Sequence, residues 1–185
     1  IVTDEMSNTQ YGEILEAFTI ANSFRDSHLL PMRSAYYSVR HKLRKYQING
    51  DMAARPKRMP SIRRKLKDSS VKFDQMNDLA GCRAIMHDIE GVRTLVASIS
   101  EKFPHSIRRQ YPYIDEPKED GYRSHHIVFS FTPRRSEYAV FEGRRIELQV
   151  RTRLQHSWAT AVEAAGLYRD EDYKHGQGDE DWLRL

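Results

Sequence analysis

One cysteine in 185 residues, Cys82, leaves no partner for an intrachain disulfide and fits a reducing, cytoplasmic setting. It lies in an apolar run and reads as a small buried side chain. No apolar stretch approaches the roughly 20 residues of a membrane-spanning helix, and no signal-peptide pattern opens the sequence. The expectation is a protein of the cytoplasm with no membrane contact. Internal repeats, low-complexity tracts and Pro/Gly-rich linkers are also missing, which excludes repeat architectures. A zinc centre is excluded on geometry: His125 and His126 are adjacent on an expected strand, so they face opposite ways and cannot share one ion.

What is present suits one core of good size. Hydrophobic residues make up 39% and charged residues 30%. Net charge is only +4, yet the sequence pI is ≈ 9.2. Arginine doublets stand at Arg63-Arg64, Arg108-Arg109, Arg134-Arg135 and Arg144-Arg145. Local positive patches of that kind favour phosphate-rich ligands, nucleotides or RNA. We expect an N-terminal helical extension over 1–50, a main domain over 51–170 and an irregular tail over 171–185. The ending Asp181-Trp-Leu-Arg-Leu185 is apolar and uncapped, so the native chain is expected to continue.

Periodicity predicts helices over 8–24 and 31–48, the second carrying Met32, Tyr36, Val39, Leu43 and Tyr46 at three-and-four spacing after Pro31. A short helix opens at Pro60-Ser61 and runs to about Lys67. A strand is expected at 80–87 and a helix at 91–103. Two prolines, many charges and Asp120-Gly121 make 106–122 read as a loop. Strands follow at 125–132 and 137–141, Glu142-Gly143 turns the chain into a strand at 144–151, and a helix covers 154–165. The fold class is therefore α+β, a mixed sheet with helices on at least one face.

Four segments carry chemistry. Arg145-Ile-Glu-Leu-Gln-Val-Arg-Thr152 alternates so that Arg145, Glu147, Gln149 and Arg151 share one strand face. One carboxylate among two guanidiniums and an amide can hold a metal-bound phosphate ligand. Arg55-Pro-Lys57-Arg58-Met-Pro-Ser61-Ile-Arg-Arg-Lys65-Leu puts cations and a hydroxyl around a helix N-terminus, a phosphate cradle. Asp78-Leu-Ala-Gly-Cys-Arg83 sets a carboxylate before a strand and an arginine within it. Gly121-Tyr-Arg-Ser-His-His126 places an aromatic ring at a loop-to-strand junction, where it can stack on a base or be buried.

Taken in order, these motifs resemble the synthetase domain of RelA/SpoT-type alarmone synthetases, including the small single-domain members. The patterns R-x-K-x-x-x-S-I-x-x-K-L, D-[LI]-A-G-x-R, G-Y-[RK]-S-x-H and [RV]-x-E-[IL]-Q-[IV]-R-T are met at 55–66, 78–83, 121–126 and 145–152. The resemblance covers about 53–165 and implies a nucleotidyltransferase-like mixed sheet flanked by helices. It implies an ATP-dependent pyrophosphokinase that moves the β,γ-pyrophosphoryl group to the ribose 3′-hydroxyl of GDP or GTP and releases AMP. By position, Arg55 and Arg83 would sandwich the adenine, and Lys57, Ser61 and Lys65 would hold ATP phosphates. Asp78 and Glu147 would bind Mg²⁺ (or Mn²⁺), with Glu147 also able to assist deprotonation of the hydroxyl. Tyr122 would stack on the acceptor base, and Arg123, His126, Gln149 and Arg151 would position the acceptor.

The sequence departs from the family just before the tyrosine motif. Many members end that run in Lys-Asp-Tyr-Ile, whereas this chain has Tyr111-Pro-Tyr-Ile114. The acceptor is thereby left open between GDP or GTP, an adenine nucleotide and the 3′ end of tRNA, the substrate of a toxic branch of the family. Lys42, Arg44, Lys45 and the doublets at 108–109 and 134–135 could recruit tRNA. An antitoxin or inhibitory segment is a conceivable partner, as is a second copy of the chain, since small members often assemble. A silent nucleotide- or RNA-binding module is the contrasting reading, and two metal-suited carboxylates argue against it. The family's hydrolase activity is not expected: His87-Asp88 is the one His-Asp dipeptide, and no helical domain accompanies it.

Overall fold

Ladders of six or seven paired residues dominate the architecture. The computed structural model describes residues 8–169. Five strands form one sheet: β1 (Gly50–Pro56), β2 (Ala80–Met86), β3 (Ser106–Pro112), β4 (His125–Ser130) and β5 (Arg145–Thr152). Their order is β1-β2-β5-β4-β3, with β2 and β5 parallel and every other pair antiparallel. The helices are α1 (Asn8–Asp26), α2 (Leu29–Lys45), α3 (Met59–Asp68), α4 (Ile89–Glu101) and α5 (Arg153–Arg169). This is the mixed α+β sheet that the alternating patterns predict.

One face of the sheet is the core. Cys82, Ala84 and Met86 of β2 meet Ile127 and Phe129 of β4 and Ile146, Leu148 and Val150 of β5 there. Helix α2 lays Met32, Ala35, Val39 and Leu43 on this face, and α4 adds Val92, Leu95 and Ile99. Phe103 stacks on Phe129 with centroids 4.5 Å apart. Helix α4 begins two residues earlier than periodicity indicates, because the Asp88 carboxylate caps it by accepting from the Gly91 N–H at 2.8 Å.

One strand was not anticipated, and two local expectations are corrected. Residues 50–56 form β1, although Gly-Asp-Met-Ala-Ala-Arg-Pro is a poor strand sequence. Seven antiparallel pairings to β2 supply the order, and Pro56 takes the terminal edge position, where a missing N–H costs little. Residues 106–112, read as loop, form β3; it is the opposite edge strand, so it tolerates arginines and carries a bulge between Ile107 and Arg109. Residues 137–141, read as a strand, lie in a 3-10 helix at Ser136–Phe141. β4 pairs directly with β5 (Ser130 opposite Arg145), which leaves that segment no strand to join, and Val140 is 71% exposed. Gly143 does make the turn, at φ +76°.

Among the described residues, no helix is long and apolar enough to cross a membrane. The tail expected over 171–185 lies outside the described residues.

Candidate active site

Because register decides which side chains share a face, the ladders build the site. One row across the sheet reads Arg109, Val128, Glu147, Gly81, Arg55; the next reads Tyr111, His126, Gln149, Arg83, Ala53. Both rows lie on the face opposite the core, and their central residues Val128, Glu147, His126, Gln149 and Arg83 form the floor of a cleft of ≈ 910 Å³. Helix α3 and the 113–122 segment form its walls. Eleven of the twelve residues to which the resemblance assigns a role line this cleft: Arg55, Lys57, Ser61, Lys65, Asp78, Arg83, Tyr122, His126, Glu147, Gln149 and Arg151. Arg123 does not; it is exposed and turned away from the lining. A smaller pocket of ≈ 160 Å³ opens on the same floor between β1 and β2, lined by Arg55, Lys57, Asp78, Arg83 and Glu147 among others.

The two carboxylates are held differently. Asp78 precedes β2 and receives two ammonium groups, Lys57 Nζ at 2.7 Å from Oδ2 and Lys65 Nζ at 3.0 Å from Oδ1. Asp78 Oδ1 is buried, and the Lys65 contact lacks hydrogen-bond geometry, so this oxygen keeps an unshared lone pair. Glu147 Oε1 accepts from His126 Nδ1 at 3.0 Å, and Oε2 accepts from the Gln149 amide at 2.9 Å. Burial alone would raise the Glu147 pKa. The hydrogen bond and charge of His126, the Gln149 bond and the Lys65 charge outweigh it and hold the carboxyl at about 2.

A chain of contacts crosses the floor. Tyr122 Oη lies 3.0 Å from His126 Nε2, and Arg83 Nε reaches Gln149 Oε1 at 3.4 Å. Tyr122 is only 8% exposed and meets Tyr113 and His126 edge-on, so its ring is largely packed. Arg151 is 3% exposed; Nη2 donates to His156 Nδ1 at 2.8 Å, and its buried Nε–H has no partner. Burial and the charges of Arg151 and Arg83 lower the His156 pKa, which suits the neutral, accepting ring. A buried, undirected guanidinium N–H in a cleft is a natural seat for an anionic oxygen.

Sequence reasoning missed Arg64, Asn77, Tyr113, Lys118 and Asp120, all of which line the cleft. Helical spacing from Ser61 points to Arg64, and two-residue spacing from Tyr111 points to Tyr113. Tyr111 and Tyr113 stack with centroids 5.6 Å apart and an 11° interplanar angle. Arg109 sits over Tyr111 at 5.7 Å, and Lys118 over Tyr113 at 4.9 Å. No signal marked Lys118 or Asp120, which reach the cleft through the fold of 113–122.

Among the described residues no three His, Cys, Asp or Glu side chains gather into a metal cluster. Two carboxylates in a cleft lined by lysines and arginines would suit a hard divalent cation that completes its shell with water and ligand oxygens. The free lone pair of buried Asp78 Oδ1 fits that donor set.

The chain is similar to known proteins over most of its length. The family described as "Region found in RelA / SpoT proteins" matches residues 54–173. GTP pyrophosphokinase YjbM of Bacillus subtilis is 26% identical over 148 residues, 71% of this chain and 68% of that protein. The GTP pyrophosphokinase of Photobacterium angustum is 29% identical over 109 residues, 59% of this chain but only 13% of that protein. In fold, the chain is like Bacillus subtilis small alarmone synthetase 1 bound to its product pppGpp, with TM-score 0.73, 20% identity, and 88% and 86% of the two chains covered. A GTP pyrophosphokinase family protein from Streptococcus pneumoniae gives TM-score 0.71 at 22% identity, covering 88% and 82%.

Proposed function

This chain belongs to the RelA/SpoT family, and on that premise we propose that it is an ATP-dependent pyrophosphokinase acting on the ribose 3′-hydroxyl of GDP or GTP. The observation that carries this reading is the convergence of Asp78 and Glu147 with Arg55, Lys57, Lys65, Arg83 and Arg151 in one cleft. Family relatives bearing the name GTP pyrophosphokinase support guanine as the acceptor base.

In this reading the acceptor oxygen attacks the β-phosphorus of ATP. The bond from that phosphorus to the α–β bridging oxygen breaks, and AMP leaves with the oxygen. Lys57, Lys65 and Ser61 hold the donor phosphates, and Arg55 and Arg83 flank the adenine. Arg151, with its unpartnered Nε–H, takes a phosphoryl oxygen. Asp78 and Glu147 would hold Mg²⁺, which when bound neutralises charge on the transferred group. A carboxylate at about 2 is a weak base, so Glu147 acts late, accepting the hydroxyl proton only as the new P–O bond makes it acidic. His126 keeps Glu147 oriented, and Tyr122 anchors His126 beside the acceptor.

A second reading, transfer to the 3′ end of tRNA, is favoured by the Tyr111–Tyr113 stack with Arg109 and Lys118. Aromatic faces beside cations suit consecutive bases better than a terminal diphosphate. The deciding experiment offers γ-labelled ATP and Mg²⁺ with GDP, GTP, ATP and deacylated tRNA in parallel. Label on a guanine nucleotide with AMP release supports the first reading. Label on tRNA alone supports the second, and no transfer to any acceptor overturns both.

A further inference from the structure

Asp78 carries more positive charge than it needs. Its side chain is 17% exposed, and two ammonium groups from different elements close on it, Lys57 from the end of β1 and Lys65 from α3. One carboxylate between two ammoniums leaves a local net charge of +1. Glu147 is itself engaged on both oxygens, by His126 and Gln149. A cation approaching this cleft in the absence of nucleotide meets repulsion from Lys57 and Lys65 and finds three of the four carboxylate oxygens occupied by donors.

We propose that Lys57 and Lys65 form a counter-ion latch on Asp78, which keeps a divalent cation out of the nucleotide-free site and opens when the donor's triphosphate draws the two ammoniums away. The inference rests on the reading above, in which Asp78 and Glu147 hold the cation and the same lysines hold phosphate. A triphosphate offers several negative charges against the single charge of Asp78, so the exchange runs toward the nucleotide. Asp78 is then left buried without its partners, and an unpaired buried carboxylate is strongly unfavourable until another cation replaces them. Nucleotide and metal therefore enter as a pair, and by linkage each strengthens the other's binding by the same factor.

Mn²⁺ serves as the probe, its bound fraction read by electron paramagnetic resonance, with and without α,β-methylene ATP. Neither measurement involves turnover. The wild-type protein alone is expected to bind Mn²⁺ at least about tenfold more weakly than Lys57→Gln or Lys65→Gln, since each variant removes one repelling charge. With the analogue, the wild type is expected to hold Mn²⁺ more tightly than the analogue alone does, and Asp78→Asn to lose that gain. Lys57 and Lys65 are 22% and 39% exposed, so single substitutions leave the core untouched. Wild-type protein binding Mn²⁺ without nucleotide as tightly as the lysine variants overturns the latch while leaving the metal site standing. An analogue-dependent gain that survives in Asp78→Asn overturns the metal assignment itself, and the latch with it.

Discussion

His126 Nδ1 lies 3.0 Å from Glu147 Oε1, and because a carboxylate can only accept, the proton of that bond belongs to the imidazole. On the other side of the ring, Nε2 lies 3.0 Å from Tyr122 Oη. His126→Ala removes the charge-assisted partner of Glu147 and the anchor of Tyr122 together. We expect kcat to fall by roughly 10–10³. Tyr122→Phe deletes one neutral hydrogen bond, of about 0.5–1.5 kcal/mol, and should cost less than roughly tenfold in kcat. Steady-state AMP release measures both; equal damage in the two variants would contradict this ordering.

Asp78→Asn and Glu147→Gln keep shape and remove charge. Since Glu147 is held at about 2, its charge persists through the whole pH range in which the protein would be assayed. Each substitution is expected to lower turnover by at least about 10²–10⁴, with the circular dichroism spectrum unchanged. Appreciable transfer by either variant would sink the assignment of that carboxylate.

Tyr111 and Tyr113 separate the two acceptor readings. Tyr111 is on an edge strand and stacks on Tyr113, and it belongs to neither core cluster, so Tyr111→Ala removes one ring from the pair without opening the core. A stacked base contributes about 1–3 kcal/mol. If tRNA is the acceptor, its KM should rise roughly 5–150-fold in this variant, by the corresponding energy, with kcat nearly constant. If a mononucleotide is the acceptor, KM for GDP should change by less than about threefold.

His105 makes the fold sensitive to acid. It is 5% exposed, its Nδ1 accepts from the Thr132 N–H at 3.4 Å, and Nε2 donates to Ser34 at 3.1 Å. Burial, with the charge of Arg134 adding to it, pushes its pKa down to about 4. The unfolded chain therefore binds this proton first as pH falls. Stability is complete above about 6.5 and declines as pH drops from there toward 4. Between pH 7.5 and 5 the loss from this residue is about 2 kcal/mol, read as a lower urea midpoint. His105→Gln should flatten that dependence; an unaltered slope would refute the attribution.

Local pattern made the helices and the central strands legible. Three-and-four spacing marks α2 through Met32, Val39 and Leu43, and two-residue alternation marks β5, because a period states directly which face is buried. The edge strands escaped for the opposite reason. β1 and β3 bury too little to need an apolar pattern, and their order comes from hydrogen bonds to β2 and β4 that lie far off in sequence. In the same way Val140 mimicked a strand residue, although no strand edge remained beside it.

The sequence by itself determined the four charged motifs, their order, and the facing of Arg145, Glu147, Gln149 and Arg151 on one side of β5. These are legible because spacing along a strand or helix is a local property. Only the tertiary structure decided what those groups do to one another. The parallel register of β2 on β5 sets Arg83 beside Gln149, and β4 against β5 brings His126 to Glu147. The return of α3 over the cleft puts Lys65 on Asp78. Ion pairs and hydrogen bonds act over a few ångströms of space, and no periodicity in the chain reports which distant residues will come that close.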